Sequence, residues 1–267
     1  MRRGLSTRAH ALTLGWLMLL AVGCAATQSQ GPLSTSPDTE DPPATAPSGG
    51  VEGQEDNRPG VAVWPFANGG SFGPEPWDYS ALEVGLQQML ITELAQNSEL
   101  RLINRSRLQQ IIEELDLGQT GYVSPETTAA VGRLVQARYM VVGSFVDAAG
   151  TMRLDARIDN VETGEILVET AAKVQDERDR LLSLVVDLGV KIVESASLPA
   201  LPNQVVEERK AVEFPGEEAG MLYSQAILQD TLGNRDEAAR ILRRVVTEFP
   251  EYDGAREMLE QYGGGTQ

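Results

Sequence analysis

The chain has 267 residues, with 22 Lys and Arg against 39 Asp and Glu, and a formal charge of −17. Such acidity repels phosphate backbones and anionic headgroups, so nucleic-acid binding is excluded as a role. One cysteine, Cys24, allows no internal disulfide, and the one histidine, His10, lies in an N-terminal segment that reads as removable.

That segment carries Arg2, Arg3 and Arg8 ahead of an apolar run from Leu12 to Val22. The run is too short to span a bilayer, and the flanks read as a signal peptide over residues 1–23. Ala21-Val22-Gly23-Cys24 resembles the lipobox of bacterial lipoproteins. The resemblance implies cleavage before Cys24 and acylation of that cysteine with palmitate-type chains. Each buried methylene contributes about 0.8 kcal/mol, so several chains make a stable anchor. Ala25, where an aspartate would favour inner-membrane retention, points to the outer membrane, facing the periplasm. Losing the signal moves the charge to −20, because it holds three arginines and no acidic residue. It also removes the histidine, which excludes Ser-His-Asp, Cys-His and His/Cys zinc chemistry. No catalytic residue, cofactor or metal ligand is expected.

Residues 24–59 contain only Leu33 and Val51 as large aliphatics. They read as a disordered linker, spanning roughly 30 Å as a flexible coil. Residues 60–197 alternate strand and helix signals. Val61 to Trp64 reads as a strand, and Ala67 to Pro76 as a glycine- and proline-rich loop without a P-loop lysine. Ser80 with Glu83, and Ser106 with Gln109, have capping-box spacing. They precede helices carrying Leu82, Leu86, Met89, Leu90 and Leu94, and then Leu108, Ile111, Ile112 and Leu115. Leu100 to Ile103 reads as a short strand between them. After a loop from Gly118 to Val123, Ser124 and Pro125 open another helix, ending near Gln136.

Tyr139 to Phe145 is an apolar run and reads as a buried strand. A tight turn at Asp147 to Gly150 leads to a period of two. Met152, Leu154, Ala156 and Ile158 alternate with Arg153, Asp155, Arg157 and Asp159, predicting a core face and a solvated charged face. A turn at Glu162 to Gly164, a strand from Ile166 to Val174 and a long apolar-faced helix from Leu181 to Val193 complete the domain.

Residues 198–215 read as a linker. Residues 216–263 read as helices, with Leu222, Ala226 and Leu228 on the first and Ala238, Leu242 and Val245 on the second. Gly233, Ala238, Leu242 and Pro250 resemble a tetratricopeptide repeat, and Ala255 to Tyr262 a further helix. One repeat is not a stable solenoid, so these helices either cap their own domain or engage a partner or a second copy.

Five ordered stretches resemble the CsgG family of curli production assembly/transport lipoproteins. They are Val61 to Phe66, Ile103 to Leu108, Gly118 to Tyr122, Tyr139 to Ser144 and Asn160 to Ile166. The resemblance implies an α/β fold: a mixed sheet with packed helices, here followed by a small all-α, TPR-like segment. Channel-forming members carry long insertions that become membrane hairpins. Here only Phe145 to Arg153 separates the first two strands, and the third runs directly into a helix. A membrane hairpin needs two strands of about ten residues each. The expectation is therefore a non-catalytic, lipid-anchored periplasmic module that binds envelope proteins or itself. The alternative is an oligomeric secretion channel.

Overall fold

A computed structural model describes residues 56–73, 78–117, 123–211 and 216–263. The signal, Cys24 and the linker up to residue 55 lie outside the described residues, as does the stretch Gly118 to Tyr122. The fold is mixed α/β.

The elements are β1 (Gly60–Val63), β2 (Ala67–Phe72), α1 (Leu82–Ala95), β3 (Arg101–Leu102), α2 (Arg105–Glu114) and α3 (Pro125–Leu134). They continue with β4 (Tyr139–Ala148), β5 (Thr151–Asn160), β6 (Ile166–Glu177), α4 (Leu181–Ser195) and α5 (Asn203–Ala211). The last three are α6 (Glu217–Thr231), α7 (Arg235–Glu248) and α8 (Asp253–Gly263).

The strands form one open sheet in the order β3-β1-β4-β5-β6, with β2 pairing β4 beyond the end of β1. The pairs β1/β3, β1/β4 and β2/β4 are parallel. The pairs β4/β5 and β5/β6 are antiparallel. In β1 and the residue after it, Val61 and Val63 face one core while Ala62 and Trp64 face another. This explains the unbroken apolar run, since a strand buried on both faces has no polar side to alternate with. The larger core combines α1, α4 and the C-terminal helices with Phe66, Val141, Phe145, Leu154 and Ile158. The smaller one packs Leu108, Ile111, Ile112 and Val131 of α2 and α3 against Met140 and Val142.

β4 turns into β5 through Ala149 and Gly150, with φ of 54° and 91°. Two successive positive φ values match the twist of the flanking strands and close the hairpin in two residues. β6 passes through a single 3₁₀ turn, Arg178–Arg180, into α4. Lys191 of α4 reaches back and its Nζ donates to the Lys173 carbonyl at 2.7 Å.

Several local expectations change. Ala67 to Phe72 is a strand rather than a loop, because backbone pairing with β4 needs no side-chain alternation. Its register shifts between Asn68 and Ser71, where the Asn68 side chain accepts from Gly70 N at 2.8 Å. Neither expected capping box forms. α1 has no side-chain cap, and Asp78 instead accepts from Ser80 N at 3.0 Å. α2 is capped by Asn104, which accepts from Ser106 N at 2.7 Å, so the helix begins earlier than the Ser106 reading. Ser124 does cap α3, accepting from Thr127 N at 3.2 Å.

The charged face of β5 is only partly solvated. Arg153 pairs with Asp155 at 2.7 Å at the outer end. Asp159 is fully buried, accepting from Thr128 Oγ1 of α3 at 2.6 Å and from Arg157 Nε at 3.1 Å. An unpaired carboxylate there would be costly, so Thr128 and Arg157 make it a pin between sheet and helix. The segment read as a linker contains α5, and Asn97 of the α1–β3 turn holds its start, donating to the Pro199 carbonyl at 2.5 Å.

Candidate functional site

The C-terminal helices lie on the domain. Ala219, Tyr223, Ala226 and Ile227 of α6 belong to the same core as Leu86 and Leu90 of α1. α6 crosses α1 at Gly85, where an added Cβ would lie 2.0 Å from Ser224 Oγ and 2.9 Å from Ser224 Cα. The missing side chain is what allows that approach. Ser224 turns its hydroxyl back to the Gly220 carbonyl at 2.7 Å, so no polar group is left bare in the contact.

Both ends of α6 are tied down by charge. At its N-terminus Glu217 pairs with Arg178 at 2.9 Å, and Arg178 pairs with Asp147 at 3.1 Å. Asp147 is buried and accepts further from Tyr79 OH, Ser71 Oγ and Gly150 N, each at 3.0 Å. Four donors on one carboxylate saturate it, so it acts as a structural node between β2, β4 and α6. Burial pushes the Tyr79 hydroxyl up to about 12, which keeps it a donor to Asp147. Burial also raises Glu217 above the ordinary carboxylate range, against the opposing pull of Arg178.

At the other end, Arg105 of α2 donates to Asp230 and, at 2.5 Å, to Thr231 Oγ1. Tyr262 of α8 donates to the second Asp230 oxygen at 2.5 Å. The Arg105 side chain is only 7% exposed, so this pair is screened little by solvent. Asp230 thus joins three helices, one from the domain and two from the C-terminal segment.

What remains open is a cleft of about 680 Å³ between α7, α8 and the start of α2. Met258, Leu259 and Tyr262 supply half-buried apolar surface, and Arg235, Asp236 and Arg243 supply charge at its margin. A concave surface with an apolar floor and mixed charges suits a peptide or a protein segment. None of its residues was a candidate in the sequence. Arg105 and Gly85 were also missed, although a glycine inside a helical pattern signals a close contact. Cys24, the one candidate site residue, lies outside the described residues. Among the described residues no helix is long and apolar enough to cross a membrane.

No curated protein matches the chain. Among solved structures it is similar to the LpoB C-terminal domain from Salmonella enterica, with 19% identity over 45% of this chain and 83% of that one, at a TM-score of 0.35. It is also similar to the PelC dodecamer from Paraburkholderia phytofirmans, with 12% identity, 54% and 90% coverage, and a TM-score of 0.34. A third is lipoprotein GNA1162 from Neisseria meningitidis, with 14% identity, 56% and 99% coverage, and a TM-score of 0.33. The family model for the curli production assembly/transport component CsgG matches residues 49–147, from before β1 to the end of β4.

Proposed function

We propose that this chain is a non-catalytic lipoprotein, acylated at Cys24 and held at the outer membrane, that binds envelope proteins on the periplasmic side. The CsgG match over residues 49–147 supports the envelope setting. The observation that carries the binding role is the clamping of α6 at both ends. Arg105, Asp230 and Tyr262 tie α2, the end of α6 and α8 together, so the cleft beside them is already formed before any partner arrives. A preformed surface has less ordering to do on binding. The TPR-like reading of α6 and α7 belongs to this proposal: the helices bind outward while their inner face serves as a cap.

Two measurements test it. A clickable fatty acid should label the wild-type protein and not Cys24→Ala; equal label on both removes the anchor. Envelope proteins that co-purify with the intact lipoprotein should be lost from Met258→Glu, a half-buried cleft residue, while its melting curve stays cooperative. An unchanged set of co-purifying proteins removes the cleft.

The secretion-channel alternative requires transmembrane strands. β4 meets β5 in two residues and β6 runs into α4, so neither junction holds an inserted hairpin. Planar-bilayer recordings on the full-length protein should be silent; reproducible conductance steps would reverse the reading.

A further inference from the structure

At the end of the sheet where β1, β3 and β4 begin, Arg58, Arg101, Arg133 and Arg138 line one cleft of about 370 Å³. Four of the 22 basic residues converge there, in a chain with 39 acidic ones. Two of the four, Arg101 and Arg133, are held by backbone carbonyls rather than by carboxylates. Arg101 crosses β1 and donates to the Gln136 carbonyl at 2.6 Å. Gly60 makes room for it, since a Cβ there would lie 2.6 Å from Arg101 Nη2. Arg133 donates to the Val161 carbonyl at 3.3 Å, and Arg138 lies 5.6 Å over the Tyr139 ring. Arg58 has a carboxylate partner, Asp56, at 2.8 Å. Among the described residues no ion pair involves Arg101, Arg133 or Arg138. Glu162 is the other acidic group lining the cleft or its rim.

The same end receives the incoming chain. Arg58 Nη1 donates to the Ser98 carbonyl at 3.0 Å, and Arg101 N donates to the Pro59 carbonyl at 3.1 Å. The segment from Asp56 to Pro59 is therefore fixed at the rim of the arginine cleft. Cys24 lies 32 residues before Asp56, so the chain from the proposed anchor enters the fold at this end. An anchor at Cys24 would hold this end of the sheet, more than any other, close to the bilayer.

We infer that the arginine cleft binds the phosphates of anionic phospholipid headgroups, seating the domain on the membrane with its β1–β3–β4 end down. The inference rests on the Cys24 anchor proposed above. Guanidinium groups suit phosphate because their planar forks donate in pairs. The overall negative charge does not forbid it. The Debye length is about 8 Å at physiological salt, so distant carboxylates are screened while the arginines meet the headgroups directly. Tethering raises the effective concentration, so modest intrinsic affinity suffices.

The test uses the full-length lipoprotein, reconstituted through its own acyl chains, with an environment-sensitive dye on Asn57→Cys at the cleft. The expected result is a blue-shifted dye in vesicles of phosphatidylcholine and phosphatidylglycerol, and none in phosphatidylcholine alone. The shift should be lost in Arg101→Gln/Arg133→Gln/Arg138→Gln and restored by the corresponding triple Lys variant, with circular dichroism confirming that both fold. Equal dye spectra in the two vesicle types, or a shift that survives the Gln variant, overturn the inference while leaving the anchor intact. Loss of the shift with inorganic phosphate, but not with chloride at equal ionic strength, identifies free phosphate as the ligand and overturns the lipid assignment. A wild-type protein washed off both vesicle types by high salt overturns the anchor, and the seating with it.

Discussion

Ser224 of α6 occupies the space that a side chain at position 85 of α1 would need: a Cβ on Gly85 would lie 2.4 Å from Ser224 Cβ. The two helices meet backbone to backbone at that point. The C-terminal segment is therefore a wall of the core, and its removal is a core mutation rather than the loss of an appendage.

Gly85→Ala should cost about 1–3 kcal/mol by overpacking, despite the better helix propensity of alanine. Ser224→Gly in the same chain should recover part of that loss, because it removes two of the three clashing atoms. Thermal melts of the four proteins of the cycle measure this. Additive effects would show that the two residues do not meet.

Truncation after Pro199 should lower the melting temperature sharply or yield an aggregating protein. It strips α6 from Leu86, Met89 and Leu90, which are all buried beneath it or beside it. A truncated domain that melts like the full chain would mean that the helices are not part of the core.

Arg105→Ala should destabilise by about 1–3 kcal/mol, since it leaves the half-buried Asp230 carboxylate without its cationic partner. Arg105→Met combined with Asp230→Leu should cost less than either Arg105→Ala or Asp230→Ala, because it removes the desolvation cost of both charges. Chemical denaturation of the three variants compares them. Equal costs for the single and the paired replacement would contradict the account.

Glu217 gives a pH dependence of defined sign. Burial raises its folded pKa above the ordinary value of 4.5, so ionising it costs more in the folded chain than in the unfolded one. The stability tied to this group is fully present below the unfolded value and declines as pH rises through the folded value. Glu217→Gln lacks that loss. The difference in melting temperature, variant minus wild type, should therefore be larger at neutral pH than in acid, and level off below pH 4.5. A difference that grows toward acid would reverse the assignment.

Much of the fold was legible because burial imposes periodicity. The alternation from Met152 to Ile158 sets one face of β5, and the run from Leu181 to Val193 sets α4, whatever surrounds them. β2 was hidden because its glycine-rich stretch from Asn68 to Ser71 carries no alternation of apolar and polar side chains. Asp159 was misread because its partner Thr128 comes from α3, and only the packing of that helix on β5 decides which charge is sealed. The arginine cleft was hidden for the same reason: Arg58, Arg101, Arg133 and Arg138 are scattered in sequence and meet only where three strands begin. Net charge, read as a single number, pointed the other way.

Among the described residues, β6 is the outermost strand on its side of the sheet. An open strand border is a template on which other chains can add, and so a route to fibrous self-assembly. Lys191 already occupies one acceptor on that border, the Lys173 carbonyl. A strand arriving there would forfeit that rung of the ladder and displace an ammonium group to gain the rest. The lysine thus serves as a gatekeeper, discouraging accretion along the border while leaving the sheet itself unchanged.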